Sequence, residues 1–286
     1  MSIKGLIVAA GYGSRLLPVT RCVPKEMLPV VDRPAIDWVV QEFLDAGIRD
    51  ILVITSRRKR SLEDWFDRDP ELEAVFGREG AEGKLAKIVP PDASVQFVRQ
   101  QRMQGTGHAL MLAREFAGAD PMVVAYPDDL FVGSPNASAQ LVTEHERTGC
   151  SVLGARLVEP SEAHRYGILE VEDRGDDGLR VRRIVEKPEP GAAPSNLASL
   201  GRYLFTPDLF PALDAGWRQH SEGEFFQTDA LMRLAAANRL VARRLTATRY
   251  DTGTLQAYLE ANVALALQDP RLGPGLRQRL KVLLDA

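Results

Sequence analysis

The sequence predicts an α/β fold, a mostly parallel sheet with helices on both faces. Three observations predict it. Short apolar runs alternate with helix-spaced segments through the first half of the chain. The first run, Ile3–Ala9, is apolar almost throughout, the mark of a strand buried on both faces. A glycine-rich turn then follows at once.

The elements follow in order. After the strand at Ile3–Ala9, Pro34–Ala46 carries Ile36, Val39, Val40, Phe43 and Leu44 at helical spacing, and Gly47 stops that helix. Ile51–Thr55, Val95–Val98 and Met122–Ala125 read as strands, with a helix over Gly107–Phe116 between the last two. Ser138–Arg147 reads as a helix and Cys150–Ala155 as a strand. Strand alternating with helix at this range implies a parallel sheet covered on both sides. Arg68–Lys84 is charged and dotted with glycine, and reads as a mobile surface excursion.

The middle of the chain changes character. Ile168–Val171 and Arg180–Val185 flank "EDRGDDGL", a strand–turn–strand signal, and Leu197–Phe205 reads as another strand. Helices return at Thr228–Ala237, at Leu255–Leu267 and near Leu276–Leu284. The expectation is therefore a Rossmann-like mixed sheet, mostly parallel, with a small β-rich part and C-terminal helices. No stretch resembles a flexible linker, so residues 1–286 read as one domain. Residues 1–155 would be mainly one half, 156–250 mainly another, and 251–286 the C-terminal helices.

Bulk composition narrows the function. The chain has 286 residues, 45% hydrophobic and 26% charged, which is ordinary for a globular protein. A net charge of −3 argues against a nucleic-acid partner bound through a broad basic surface. Cys22 and Cys150 are the two cysteines and lack metal-type spacing, so a reducing cytoplasmic setting is expected. No apolar run approaches the roughly 20 residues that a membrane helix needs, and no membrane partner is expected. The N-terminal "IKGLIVAAG" could imitate a signal peptide, but the glycine-rich turn after it favours a first strand.

Five stretches carry candidate chemistry. The first is "VAAGYGSRLLPVTRCVPKEMLPV", Val8–Val30. A glycine-rich turn after a first parallel strand usually serves a nucleotide phosphate. A dinucleotide fingerprint needs a third glycine and an immediate helix, but Leu16 stands there and Pro18, Pro24 and Pro29 prevent a regular helix. A P-loop Gly-Lys-Ser/Thr is also missing. What remains is a proline-stiffened loop with Arg15, Arg21 and Lys25. Its glycines allow backbone N–H groups to approach phosphate. Arg15 offers a planar fork and Lys25 a point charge. Arg21 reads as a solvated charge, and a plain surface loop is the alternative for the whole stretch.

The second stretch is "VRQQRMQGTGHAL", where the Gln100 amide with the Gly105 backbone suits the imide edge of a pyrimidine. A polar strand-to-helix loop turning at Gly105 and Gly107 explains it equally, and His108 reads as packing at the helix start. In the third, "VVAYPDDLF", a strand delivers Asp128 and Asp129 to the sheet edge where such folds bind ligands. Carboxylates with phosphates are the usual cradle for magnesium, and adjacent carboxylates diverge, so one of the two is expected to bind. A helix cap or loop start is the alternative. Fourth, Glu186-Lys187 ends a strand and suits sugar hydroxyls and a phosphate, against the alternative of an exposed ion pair. Last, Asp251 precedes a Thr-Gly turn into a helix, which is also an ordinary helix start.

Their order is more specific than any of them alone. With Ala10-Gly11-x-Gly13-x-Arg15, "PKEMLP", Gly105-x-Gly107-His108-Ala109, Pro127-Asp128-Asp129, Tyr166-Gly167-Ile168, "VEKP", "APSNLA", Gly201-Arg202-Tyr203, Thr228-Asp229-Ala230 and Tyr250-Asp251-x-Gly253, the sequence resembles the sugar nucleotidyltransferase family. Within it the resemblance is to the bacterial UTP–glucose-1-phosphate uridylyltransferases, over nearly the whole chain. "PKEMLP" and "APSNLA" are specific to that branch; its thymidylyl sister has a Lys-Gln pair.

The resemblance implies a nucleotidyltransferase or glycosyltransferase-A-like fold, with a nucleotide-binding half and a sugar-binding half. It implies UTP, glucose 1-phosphate, UDP-glucose and pyrophosphate as partners, magnesium (Mg2+) as cofactor, and a homodimer or homotetramer. By resemblance, Ala10, Gly11 and Gly13 touch base and phosphate, Gln100 and Gly105 read uracil, and Arg15 and Lys25 hold the triphosphate. Gly167, Glu186 and Gly201 touch glucose, Lys187 holds the sugar phosphate, and Asp128 and Asp251 hold the metal. The sequence departs from the family at Ser14, Leu16, Gln104, Tyr126, Thr252 and "GEFFQTDA", changes that bear on base and sugar preference more than on the reaction. The rivals are a thymidylyltransferase or another pairing of nucleotide and sugar 1-phosphate, a non-catalytic nucleotide-sugar-binding regulator, and a dinucleotide-dependent dehydrogenase, which the opening loop disfavours.

Overall fold

A computed structural model describes residues 2–175 and 178–285. The chain begins with β1 (Lys4–Val8), three short 3₁₀ turns, the small pair β2 (Pro29–Val30) and β3 (Arg33–Pro34), and α1 (Ala35–Asp45). Then come β4 (Asp50–Thr55), α2 (Arg60–Phe66), α3 (Pro70–Arg78), α4 (Glu82–Ile88), β5 (Ser94–Arg99), α5 (Thr106–Met111), α6 (Arg114–Ala117) and β6 (Met122–Ala125). The middle holds β7 (Asp129–Val132), α7 (Ala137–Thr148), β8 (Ser151–Leu157), β9 (Gly167–Asp173), β10 (Leu179–Glu186) and β11 (Leu197–Phe205). The rest is α8 (Leu209–Gln219), α9 (Thr228–Ala236), β12 (Leu240–Arg244), β13 (Thr248–Asp251), α10 (Leu255–Gln268) and α11 (Gly273–Leu284).

Nine strands form one mixed sheet in the order β5-β4-β1-β6-β11-β8-β12-β10-β9. The first four pair parallel. β11 then runs antiparallel to both β6 and β8, β12 returns parallel to β8, and β10 runs antiparallel to β12 and β9. The parallel strands β5, β4, β1 and β6 are those expected from the first half of the chain, and the β9–β10 ladder is the expected strand–turn–strand. The turn's Asp176-Asp177 lies outside the described residues.

Two core clusters flank the sheet, and alternation along β1 shows why. Leu6 points into one with Leu52, Leu110 and Phe205; Ile7 points into the other with Val39, Phe43 and Leu141. Each strand residue faces opposite to its neighbours, so an uninterrupted apolar run serves both layers. In α1 the buried residues include Ile36, Val39, Val40 and Phe43, at helical spacing. Gly47, at φ 79°, reverses the chain after it.

One expectation needs correction and two gain detail. Arg68–Lys84 lies at the surface, and within it are α3 and the start of α4, neither of which has a buried residue. Pro70 sits in the first turn of α3, and the Asp69 side chain accepts from Leu72 N at 3.0 Å, so local capping makes helix without a core. The helix expected over Gly107–Phe116 divides into α5 and α6, and no breaker residue marks the division. The strand before Asp128-Asp129 ends at Ala125, and Asp129 begins a separate strand, β7. No helix among the described residues is long and apolar enough to cross a membrane.

Candidate active site

The opening loop leaves β1 through Ala9 and Ala10, both buried at the sheet's edge. Gly13 takes φ +70°, where an L side chain would be strained, and its carbonyl accepts from the Thr20 hydroxyl at 2.8 Å. This closes the loop back on itself through successive 3₁₀ turns. The third turn presents Lys25 and Glu26 in opposite directions. Glu26 is fully buried, and both its oxygens accept from Lys59 Nζ, at 2.7 and 2.8 Å. Lys59 also donates to the Ala9 carbonyl at 2.5 Å. One buried ammonium therefore ties the loop to the end of β1. Burial pushes the Glu26 carboxyl up, against the pull of Lys59 and Lys25.

Lys25 reaches outward to Asp128 Oδ2 at 2.5 Å, and Arg15, largely exposed, stands 3.6 Å from the same oxygen. Burial opposes ionisation of Asp128, but Lys25, the backbone and Arg15 together hold its carboxyl below the usual range. Asp128 and Asp129 diverge, as expected of neighbours. Asp129 turns inward to accept from Gly201 N at 3.0 Å and from Arg249. Arg202, fully buried, donates to the Asp129 carbonyl at 3.1 Å and forks onto Glu42 at 3.0 and 2.8 Å.

Asp251 joins this cluster through a two-stranded ladder. β13 pairs antiparallel with β7, with Asp251 opposite Asp129. Thr252 N donates to the Asp128 carbonyl at 2.8 Å, and Gly253 N donates to Asp251 Oδ1 at 2.7 Å. A Cβ on Gly253 would lie 3.1 Å from each of Arg15 Nη2, Asp128 Oδ2 and Asp251 Oδ1. The glycine thus keeps clear a small space onto which two carboxylates and a guanidinium converge. No cluster of three or more His, Cys, Asp or Glu side chains suited to a metal occurs among the described residues. A two-carboxylate site still fits magnesium, which takes one or two carboxylates at about 2.0–2.1 Å and fills its octahedron with water and substrate phosphate.

A cavity of about 740 Å³ is lined by Tyr12, Arg57, Arg58, Gln100 and Met103. Gln100 is buried at the end of β5, and its amide donates to the Gly105 carbonyl at 3.0 Å. Gly105 holds φ +91°, and a Cβ there would lie 2.4 Å from the Phe225 carbonyl oxygen. His108 packs against Trp217, with ring centroids 5.7 Å apart, and burial holds its imidazole below the usual value.

A second cavity measures about 400 Å³. Gly167, Glu186, Lys187 and Gly201 all line it. Gly167 and Glu186 face each other across β9 and β10, and a Cβ on Gly167 would lie 2.9 Å from Glu186 Oε2. Gly201 sits where the β11–β8 register shifts, with room for no side chain against Asp129. Lys187 takes a left-handed φ of 45° as its N–H donates to the Tyr166 carbonyl at 3.0 Å. Among the described residues no ion pair joins Glu186 to Lys187.

The structure therefore brings Arg15, Lys25, Asp128 and Asp251 to one point. Gly167, Glu186, Lys187 and Gly201 line one cavity and Gln100 another, with Gly105 hydrogen-bonded to Gln100; Ala10 and Gly11 follow β1, and Gly13 closes the opening loop onto Thr20. Sequence reasoning missed the Glu26–Lys59 tie, Arg249 and the β7–β13 ladder. One signal was present: Arg249 lies two residues before Asp251, so in a strand both face the same way. Arg249 stands 3.6 Å from Asp251 Oδ2 and lines the smaller cavity.

Comparison with known proteins matches the nucleotidyl transferase family to residues 4–268. The UTP--glucose-1-phosphate uridylyltransferase of Staphylococcus epidermidis is 38% identical over 283 residues, covering 98% of each chain. A UTP-bound UGPase from Acinetobacter baumannii superposes with a TM-score of 0.89 at 33% identity, over 98% of this chain and 99% of that one. A UDP-glucose pyrophosphorylase complexed with UDP-glucose gives 0.82 at 35% identity, over 94% and 100%. With the family model matching residues 4–268 and a relative 38% identical over nearly the whole chain, the chain belongs to the nucleotidyl transferase family.

Proposed function

We propose that this chain is a UTP–glucose-1-phosphate uridylyltransferase, which converts UTP and glucose 1-phosphate to UDP-glucose and pyrophosphate. One observation carries the reading: Arg15, Lys25, Asp128 and Asp251 converge on one point, where Gly253 leaves space. The names of the similar proteins agree with it.

A phosphate oxygen of glucose 1-phosphate attacks the α-phosphorus of UTP. The bond from the α-phosphorus to the bridging oxygen breaks, and pyrophosphate leaves with its electron pair. The attacking phosphate has a second pKa of about 6, so it is already an anion near neutral pH and needs no general base. His108, packed and held neutral, is not called on. The barrier is repulsion between anions and their alignment. Arg15 and Lys25 hold the triphosphate, Lys187 holds the sugar phosphate, and the Ala10–Gly13 backbone approaches the nucleotide. Gln100 and Gly105 read the uracil edge, while Glu186, Gly167 and Gly201 shape the sugar site. Asp128 and Asp251 are the residues that would hold magnesium, which when bound neutralises charge building on the phosphates.

On this reading residues 1–155 serve mainly the nucleotide and 156–250 mainly the sugar, while Asp251 and the C-terminal helices complete the chain. A cytoplasmic homodimer or homotetramer is the assembly it carries. Exposed Leu255, Leu259 and Val263 fall at four-residue intervals on α10 and offer one apolar face for it. The test is the rate of UDP-glucose formation with magnesium by wild type and Asp128→Ala. A loss of about 10²–10³-fold is expected. Near-normal turnover in a folded variant would sink the metal assignment. Wild-type rates with UTP and dTTP side by side test the base: one methyl is worth about 1–3 kcal/mol in an apolar pocket.

A further inference from the structure

The smaller cavity is lined by two unlike sets of side chains. One is Glu186 and Lys187; the other is Thr106, Tyr126 and Gln227. These three neutral polar side chains come from the start of α5, the loop after β6 and the residue before α9. They bind one another. The Thr106 hydroxyl donates to Gln227 Oε1, and Gln227 Nε2 stands 3.5 Å from the Tyr126 hydroxyl.

The backbone around them is pinned. Phe225 N donates to the Gln104 carbonyl at 2.7 Å, and Gly107 N donates to the Phe225 carbonyl at 2.9 Å. These two bonds bracket Thr106 on one strand of chain and hold Gln227 two residues beyond on the other. Tyr126 stands edge-on to Tyr203 at 6.2 Å, and Tyr203 stacks on Phe205 at 5.4 Å. The group is thus a fixed array and not three rotating side chains.

Its hydrogen-bonding capacity exceeds its internal contacts. A glutamine carries two N–H donors and an oxygen with two lone pairs, and a phenol adds a proton of its own. The contacts within the group use one glutamine donor and one lone pair. A rigid, neutral array with donors to spare suits a sugar hydroxyl. An apolar substituent would leave those donors unpaired.

We propose that Thr106, Tyr126 and Gln227 are specificity-determining residues that read one hydroxyl of the sugar 1-phosphate, with Gln227 making the contact and Thr106 and Tyr126 orienting it. This rests on the sugar 1-phosphate reading given above. The test is kcat/KM, with UTP, for glucose 1-phosphate and its 2-, 3-, 4- and 6-deoxy analogues, for wild type, Gln227→Leu and Thr106→Val. Wild type rejects one analogue by about tenfold or more. Gln227→Leu drops glucose 1-phosphate to the level of that analogue, leaves the ratios among the other three unchanged, and leaves KM for UTP unchanged. Thr106→Val, which keeps Gln227 but removes its tether, loses part of the same discrimination. A Gln227→Leu or Thr106→Val protein that keeps the full wild-type ranking overturns the proposal, as does a wild type that accepts all four analogues equally. A wild type that forms no UDP-glucose overturns the underlying function, and the proposal with it.

Discussion

Lys59→Met tests whether the buried tie under the opening loop holds the site together. Lys59 Nζ makes three short contacts: 2.7 and 2.8 Å to the two Glu26 oxygens and 2.5 Å to the Ala9 carbonyl. Glu26 is 0% exposed and Lys59 4%, so water cannot replace what the methionine removes. Removing one partner of a buried pair costs about 3–5 kcal/mol, because the other charge stays behind uncompensated. For a chain near this size, 1 kcal/mol moves the midpoint by about 2–4 °C, so the melting temperature should fall by roughly 10 °C. The loop that carries Arg15 and Lys25 also loses its tether to β1, so KM for UTP should rise while KM for glucose 1-phosphate moves less. Calorimetry at pH 7 and steady-state kinetics measure the two effects. The double variant Glu26→Gln with Lys59→Met removes the orphaned charge and should recover more than half of the lost stability. A single variant within about 1 kcal/mol of wild type refutes the reasoning, as does a double variant no better than the single.

Gly105→Ala should lose about 2–4 kcal/mol of stability and nearly all nucleotide binding, read by urea denaturation and UTP titration. Its Cβ would sit 2.4 Å from the Phe225 carbonyl at φ +91°, so both contact and conformation oppose it. The Asp269 carboxyl, pushed down to about 2 by hydrogen bonds from the Arg271 side chain and backbone, should move back toward its usual 3.8 in Arg271→Gln, as followed by NMR titration. The sign follows from the depressed folded value. Whatever stabilisation this surface pair gives is present above about pH 4 and is lost as pH falls toward 2, so wild type and variant should converge in acid.

The site was legible in sequence wherever a residue's neighbours along the chain fix its surroundings. Gly13 and Gly105 announced backbone positions that other residues fill badly, and the prolines after Gly13 excluded a helix before any fold was known. Arg15 and Lys25 lie ten residues apart on one loop, so their joint role needed no tertiary information beyond that loop's shape. The adjacent Asp128 and Asp129 had to diverge, though which one turns inward depended on Gly201 and Arg249 far along the chain. The reading of Gly107–Phe116 as one helix failed because no breaker residue marks the division between α5 and α6, so nothing local announced it.

By itself, the sequence determined the alternation of strand and helix, the amphipathic spacing that gives two core layers, and the set of charged and glycine residues from which a site could be built. The tertiary structure decided which of those charges meet. The β7–β13 ladder sets Asp251 opposite Asp129, and the β11–β8 register shift falls at Gly201, which lines the smaller cavity. It also buried Glu26 against Lys59 and Glu42 against Arg202, pairs whose partners have no fixed spacing in sequence. The physical reason is range. Turns, caps and periodicity act over a few residues, whereas a Coulomb contact or a ladder register pairs groups whose separation along the chain carries no signal of their closeness in space.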